Sequence, residues 1–403
     1  MALPLVGLNV LDFTWVVVGP LTTRYLSDYG ATIVRIESTH RVDTGRTIQP
    51  FKDGQPGPER SGLYANANAN KLGLQLNLAV PEARDVALDL VRWADVITEN
   101  YSPKAMKGWG LDYESVRKVN PGIIMLSTCL NGQTGPDAMQ AGIGTMGVVV
   151  AGFGELTGWP DRPPAGPWGA YTDYIGPKFF ASAILAALDH RRRTGEGQYI
   201  DAAQVEAAIH FIGPAVLDYT VNGRVVQRAG NASPHHSPHG VYRAAGVDNW
   251  VAIVARDEKE WAALCQAAGH PEWRTDPRFA TLPDRLRHRA ELDALIEGWT
   301  AQHEAGEVEA LLVGVGVAAH RVARSVDVFA DPQVAHRGHF TEVEHPVVGR
   351  VPLETSRMRF SRTPARLPVP APTYGQHTHQ VLKEILGYDD DRIAALAAAG
   401  ALE

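Results

Sequence analysis

The chain has 403 residues, of which 45% are hydrophobic and 21% charged, as expected for a large globular protein with two domains. The net charge of −7 argues against nucleic-acid binding, and the absence of any run of eighteen apolar residues argues against a membrane span. The two cysteines, Cys129 and Cys265, are far apart and form no metal or redox motif. With an N-terminus that lacks a basic n-region, they predict a cytoplasmic protein.

The first hundred residues alternate between strand and helix patterns. The predicted elements are strands 8–13, 32–36, 72–78 and 95–101 and helices 21–29 and 81–94. Such βαβ succession predicts an α/β fold with a Rossmann-like parallel sheet. A dinucleotide site is not favoured, because the first loop reads Thr-Trp-Val-Val-Val-Gly-Pro and has no G-x-G-x-x-G fingerprint, although Glu37 stands where an acid could hold a ribose.

Polar residues follow the predicted strand 95–101. Asn100, Tyr101 and Ser102 stand at its carboxyl end, where ligands gather in open α/β sheets. A helix over 110–121 and a strand over 123–127 come next. This part of the chain therefore completes the sheet that would carry a binding site.

Asp173 lies in a turn bounded by Gly and Pro, just before an apolar helix for which Pro177 suits the first turn. The helix dipole favours the anionic form of a carboxylate at this place, which would be ready to act as a nucleophile at neutral pH. The usual role of an Asp at a helix start, however, is only that of an N-cap. After this helix, residues 199–219 are predicted to form a second, amphipathic helix.

The whole chain is predicted to divide into four segments. Residues 1–222 form the first part of the large domain, 223–240 a linker, 241–330 a small α+β domain, and 331–403 a linker that returns to the large domain with C-terminal helices. The linker contains His235, His236 and His239, but no partner ligand stands at a standard spacing, so no metal site is expected.

Several segments together resemble the class III CoA-transferases, the CaiB/BaiF-like family of formyl-CoA transferase and carnitine CoA-transferase. The resemblance is carried by residues 11–15, 34–37, Asn100, and Asp173 with the segment Arg-Arg-Thr-Gly-Glu-Gly-Gln at 192–198. It implies a Rossmann-like large domain with a smaller domain, an interlocked homodimer, and acyl-CoA and a carboxylic acid as substrates, with no tightly bound cofactor.

The resemblance also implies roles for individual residues. Asp173 would attack the acyl-CoA thioester and carry an anhydride and then a CoA thioester. The residues implied to contact CoA are Val17, Val18, Leu76, Asn100, Tyr101, Ser102 and Lys107. The acyl group would meet Trp15 and Val16. The residues themselves, and not the resemblance, suggest that the loop with His235 and His236 caps the acyl pocket, where one of these histidines would meet a substrate carboxylate. Because Trp15 and Val17 make this wall bulky and apolar, the acyl group is expected to be larger than formyl.

Two other functions remain open on this fold. An acyl-CoA racemase or isomerase needs a second base, and Ile143-Gly144, where racemases that resemble this family carry a His-Asp pair, supplies none. A non-catalytic CoA-binding subunit of a hetero-oligomer would not need Asp173.

Overall fold

The computed structural model describes residues 2–403, which form two compact units. The first comprises residues 2–154, 166–226 and 333–403, and the second comprises 155–165 and 227–332. The second unit therefore begins well before residue 241 and includes a short segment from the middle of the predicted large domain. A strand, His239–Arg243, already begins inside the stretch expected to be a linker.

The first unit is built on a six-stranded parallel sheet, as the sequence predicts. Its strands are β1 (Asn9–Asp12), β2 (Thr32–Glu37), β3 (Leu72–Gln75), β4 (Val96–Glu99), β5 (Ile124–Cys129) and β6 (Tyr199–Ala203). They lie in the order β3-β2-β1-β4-β5-β6. The strand order therefore reverses between β1 and β4, which is where doubly wound sheets bind ligands.

Two apolar cores lie on the opposite faces of this sheet, between its strands and helices of the same unit. The helices are α1 (Val18–Asp28), α2 (Gly62–Ala67), α3 (Pro81–Trp93), α4 (Lys104–Trp109), α5 (Tyr113–Val119), α6 (Gly144–Val150), α7 (Phe153–Leu156), α8 (Tyr171–Thr194), α9 (Gln204–Phe211) and α10 (Gly213–Asn222). Neighbouring residues of β1 point to opposite cores, because side chains alternate along a strand. Leu11 packs with Leu90 of α3, and Val10 packs with Ile184 of α8.

Residues 199–203 are a strand, not the start of a helix as predicted. They pair in parallel with β5, from Met125 opposite Tyr199 to Cys129 opposite Ala203. The apolar residues from Val205 onward have helical spacing, and the predicted helix extends this spacing back to residue 199. Residues 199–203 instead pair with the free edge of β5, a partner that the local sequence does not reveal. Similarly, α1 begins at Val18, three residues before the predicted start.

The second unit is a small α+β body. Its antiparallel strands, in the order β7-β8-β9, are β7 (His239–Arg243), β8 (Trp250–Val254) and β9 (Ala318–Arg321). Its helices are α11 (Glu258–Ala267), α12 (Leu282–Arg287), α13 (Arg289–Thr300), α14 (Ala305–Gly314) and α15 (Ser325–Ala330). Trp261, Phe279 and Leu292 are at the centre of its own apolar core.

The last seventy residues belong mainly to the first unit. They contain α16 (Pro332–His336), β10 (Phe340–His345), β11 (Gly349–Glu354), α17 (Thr378–Gln380), a π-helical turn (Val381–Ile385) and α18 (Asp390–Ala398). Short 3₁₀ turns elsewhere lie at Thr44–Thr47, Lys52–Gly54 and Pro271–Arg274. Within residues 2–403, none of the helices combines the length and apolar character needed to cross a lipid bilayer.

A buried ion pair stands at the end of β1. Lys71 Nζ lies 3.1 Å from Asp12 Oδ2, and both side chains are fully buried. The same ammonium donates to Pro20 O and to Asn68 Oδ1, each at 2.9 Å. All three of its hydrogens therefore have acceptors, as a buried ammonium requires.

Replacing Lys71 with Met should lower stability strongly, because the buried Asp12 carboxylate would lose its cation. Removing one partner of a buried pair costs about 3–5 kcal/mol. The measurement is the urea midpoint of unfolding, with Lys383→Met as the matched control, since Lys383 pairs with Asp390 at 2.6 Å on the surface. The control should cost at most about 1 kcal/mol. Equal shifts for both variants would contradict this account.

Candidate active site

The loop after β1 meets the end of β4 at the place where the strand order reverses. The Trp15 N–H donates to Asn100 Oδ1 at 2.8 Å, and Asn100 Nδ2 donates to Trp15 O at 2.9 Å. Asn100 therefore holds the Trp15 backbone with both ends of its amide. Its predicted contact with CoA stays a prediction.

Val16 has strained backbone geometry in this loop. Its φ of 64° lies in the left-handed region, which a β-branched residue rarely adopts. The Val16 N–H donates to Asp43 Oδ1 at 3.0 Å, while buried Arg35 donates to Thr14 O at 2.7 Å and pairs with Asp43. A buried ionic network thus fixes the loop in a conformation that it would not adopt alone, as often happens at functional sites.

A cavity of about 430 Å³ opens beside this loop. Eight of the predicted site residues line it: Trp15, Val16, Val17, Val18, Asn100, Tyr101, Ser102 and Asp173. The loop that leads into α6 forms another wall, with residues 138–144. The structure therefore brings most of the predicted site together at one end of the sheet.

A second cavity, of about 240 Å³, adjoins the same aromatic residues. Trp15 and Tyr101 line both cavities, and their rings make an edge contact with centroids 5.3 Å apart. Leu76 lines the second cavity, just beyond the end of β3 and not inside it as predicted. Among the described residues that line either cavity, Arg41 is the only Lys or Arg, and its guanidinium lies 5.1 Å from the Trp15 ring centroid.

Three predicted site residues line neither cavity. Lys107 is exposed on α4, and His235 and His236 belong to the second unit. The contact of Lys107 with CoA and the contacts of His235 and His236 with the acyl group stay predictions.

Asp173 is inside α8, not in a turn before it. The helix begins at Tyr171, so Asp173 is its third residue, and Pro177 lies within the helix, not at its start. Because proline has no N–H, the main-chain carbonyl of Asp173 lacks the usual helical donor four residues later. The Asp173 side chain is 7% exposed and reaches the larger cavity.

The protonation of Asp173 differs from the expectation that the helix dipole favours its anionic form at neutral pH. Burial raises its pKa to about 7, and a hydrogen bond from Gln204 opposes that rise. Desolvation here outweighs the favourable end of the helix dipole. The carboxylate, which is the form that can act as a nucleophile, is therefore less favoured near neutral pH than it is in an exposed aspartate.

Three neighbours of Asp173 were missed by sequence reasoning. The hydroxyl of buried Thr172 lies 3.0 Å from Gly144 O and 3.2 Å from Gln204 Oε1. A Cβ added to Gly144 would lie 2.6 Å from both Cγ and Oδ2 of Asp173, so only glycine fits there without displacing the carboxyl. These residues come from α6, α8 and α9, and no local pattern links them.

Comparison with protein families gives a match along most of the chain. The model for CoA-transferase family III matches residues 5–378. The chain belongs to this family. It is therefore a CoA-transferase by family, and CoA thioesters are its class of substrate.

Curated relatives and solved structures match nearly the whole chain. The succinyl-CoA–D-citramalate CoA-transferase of Chloroflexus aurantiacus is 32% identical over 98% of this chain and 97% of its own. The human succinyl-CoA:glutarate CoA-transferase is 30% identical over 99% of this chain and 90% of its own. The crystal structure of a CaiB/BaiF family protein from Brucella suis is 31% identical, covers 96% of this chain and 100% of its own, and has a TM-score of 0.89.

Gly144→Ala should reduce CoA-transferase activity about 100-fold, because the new methyl group displaces the Asp173 carboxyl and small misplacements in an active site have effects of this size. Activity is measured as the appearance of a new acyl-CoA. Gly298→Ala is the control, since a Cβ on that helical glycine meets nothing within 4 Å. Full activity in Gly144→Ala would show that the close packing has no functional role.

Asp173→Asn should stabilise the protein increasingly as pH rises. The raised pKa means that the folded state binds a proton which the unfolded state releases between about pH 4 and pH 7, so the wild type loses stability through this window. At about 1.36 kcal/mol per unit, the difference between the variants should grow by roughly 2–3 kcal/mol from pH 5 to pH 8. Thermal unfolding of both variants at each pH measures it.

Asp189→Asn, on the same helix, is the matched control. Hydrogen bonds from Arg192 hold the pKa of Asp189 below its usual value, so that carboxylate stays ionised across this range. Its effect on the unfolding temperature should not change between pH 5 and pH 8. A constant difference for Asp173→Asn as well would mean that burial does not raise its pKa.

Proposed function

We propose that this protein transfers CoA from an acyl-CoA donor to a carboxylic acid through covalent intermediates on Asp173. One observation carries the proposal: Asp173 is the only carboxylate among the described residues that line the larger cavity, and it is buried there, in a cavity that the loop at the sheet's reversal point also lines. A buried carboxylate of this kind is the nucleophile that acyl transfer needs.

The chemistry balances without a net proton. The Asp173 carboxylate attacks the thioester carbonyl, the C–S bond breaks, and a mixed anhydride and CoA thiolate form. The thiolate then attacks Asp173 Cγ, which releases the donor acid and leaves an aspartyl-CoA thioester. The acceptor carboxylate attacks the same carbon to form a second anhydride and thiolate. The thiolate takes the new acyl group and frees Asp173. The thioester bond energy is conserved throughout.

A short dicarboxylic acid is the acyl group that we propose first. The two relatives described above are named for succinyl-CoA with D-citramalate or glutarate. The cavity of about 430 Å³ that Trp15 and Val16–Val18 help to line has room for an acyl group larger than formyl. Arg41, which lines the same cavity, supplies positive charge for an anionic substrate.

A racemase or isomerase is less well supported. Such chemistry needs two bases, and the described lining of the larger cavity contains no histidine and no carboxylate besides Asp173. A non-catalytic CoA-binding role gives no reason for keeping a carboxyl whose burial raises its pKa to about 7.

We also propose that the protein is a homodimer with interlocked chains, in the cytoplasm. Helix α10 has no buried residue in the single chain, and it exposes Val216, Leu217, Tyr219 and Val221. Apolar surface of this extent supports coverage by a second copy. The two unpaired cysteines support a reducing compartment.

Covalent capture tests the function. The protein is incubated with succinyl-CoA, acetyl-CoA or formyl-CoA, quenched with hydroxylamine and digested, and the peptide that contains Asp173 is weighed. A hydroxamate on Asp173 with succinyl-CoA, absent in Asp173→Ala, is the expected result. Asp189→Ala is the control for a carboxylate on the same helix. No adduct with any donor, in protein that binds CoA, would contradict the covalent mechanism.

A further inference from the structure

Gln204 occupies a position that the family comparison does not explain. It is the first residue of α9, directly after β6, and it is 7% exposed at the lining of the larger cavity. Its side chain lines the same cavity as the Asp173 carboxyl and bonds Thr172, the residue next to Asp173, and its proximity lowers the pKa of that carboxyl against the effect of burial. A buried amide must satisfy its donors and its acceptor, so the arrangement of its partners reveals how it is oriented.

The orientation is set by Thr172. The Thr172 hydroxyl lies 3.2 Å from Gln204 Oε1, and Thr172 is fully buried. The single hydrogen of this hydroxyl is shared between Gln204 Oε1 and the closer Gly144 O at 3.0 Å. Because Oε1 lies on the Thr172 side, the NH₂ group is the end of the amide that can face Asp173. A carboxylate can only accept, so the amide donates to it.

We propose that Gln204 is a catalytic residue, and that its NH₂ group is the oxyanion donor for reactions at Asp173 Cγ, with Thr172 as the positioning residue. This inference rests on the proposed function. When CoA thiolate attacks Cγ of the mixed anhydride, the C=O pair of Asp173 moves onto oxygen, and the tetrahedral intermediate carries its negative charge there. Collapse of the intermediate expels the donor carboxylate and leaves the C–S bond. A donor already positioned beside this carboxyl stabilises that charge with little reorganisation.

The same hydrogen bond assists the first attack. It favours the ionised form of Asp173 against the burial that opposes it. Gln204 should therefore affect two separate measurements, namely the pH at which Asp173 becomes reactive and the conversion of anhydride into thioester. A residue that only filled space would change neither the pH at which Asp173 becomes reactive nor the conversion of anhydride into thioester.

Few other groups can set this titration. Helix α6 carries no ionisable side chain, and Arg24 and Asp28 of α1 pair with each other. The remaining ionisable groups of the cavity, of the first turns of α8 and of the elements packed on it are Arg41, Tyr101, Cys129, Tyr171, Tyr174, Lys178, Tyr25, Tyr199, Asp201, Glu206 and His210. The test variants leave all of them unchanged.

The experiment measures single-turnover capture of succinyl-CoA from pH 5 to pH 9. Intact mass, without added nucleophile, distinguishes an acyl adduct from a CoA adduct on the protein. Gln204→Glu keeps the shape but removes the donor, and Gln204→Leu removes all polarity. Gln302→Ala, an exposed glutamine of the second unit, is the control.

Both Gln204 variants should move the acidic limb of capture to higher pH. They should also reduce formation of the CoA adduct about 100-fold or more, the usual loss for one oxyanion donor, while the acyl adduct accumulates. Gln302→Ala should match the wild type. Wild-type pH dependence and wild-type CoA adduct in Gln204→Glu would overturn the inference.

Thr172 provides a second test should a Gln204 variant fail to fold. Thr172→Val removes the hydroxyl that orients the amide and should reproduce the loss of CoA adduct in part, and Thr172→Ser should restore it. Equal behaviour of Val and Ser variants would overturn the positioning role. If Asp173→Ala still forms the adducts, the proposed function fails instead, whereas adducts that need Asp173 but not Gln204 refute only the inference.

Discussion

The Asp12 carboxylate at the end of β1 gathers its hydrogen bonds from four separate parts of the first unit. Its donors are Thr14 N, Thr14 Oγ1, Thr23 Oγ1, Thr98 Oγ1 and Lys71 Nζ. Because the carboxylate is fully buried, each donor offsets part of a large desolvation cost. The strand end, α1, β4 and the chain before β3 are therefore tied to one point. Thr14, which bonds this carboxylate, directly precedes the loop from Trp15 to Val18, so the start of the loop that lines the larger cavity is held here.

Asp173 shows how the same burial serves stability and chemistry differently. Around Asp12 a buried cation compensates the charge, but around Asp173 only a neutral amide does so. The Asp173 carboxylate therefore remains poorly stabilised in the resting protein. That condition favours bond formation, because a nucleophile that is weakly solvated loses little when it attacks.

The sequence predicted elements whose own residues decide their structure. The buried runs of β1 and β2 and the amphipathic α3 were placed within a few residues, and eight predicted site residues meet in one cavity. The prediction was wrong where a segment distant in the sequence determines the local structure. β6 is a strand because β5 lies beside it, and Gly144 and Gln204 lie near Asp173 because α8 packs against both α6 and α9. The pKa of Asp173 could not be predicted, because burial is a property of the packed unit.

The discontinuity of the first unit governs the order in which a growing chain can fold. The outer side of β3 is covered by residues made last: His377 N–H donates to Gly73 O at 3.0 Å, 304 positions away, and Asn77 N–H donates to Ala401 O at 2.9 Å. During synthesis on the ribosome, the outer edge of β3 stays unpaired until the whole second unit has been made. Unpaired strand edges are sites of aggregation. We expect nascent chains to be most dependent on chaperones after residue 332 and before the C-terminal helices emerge.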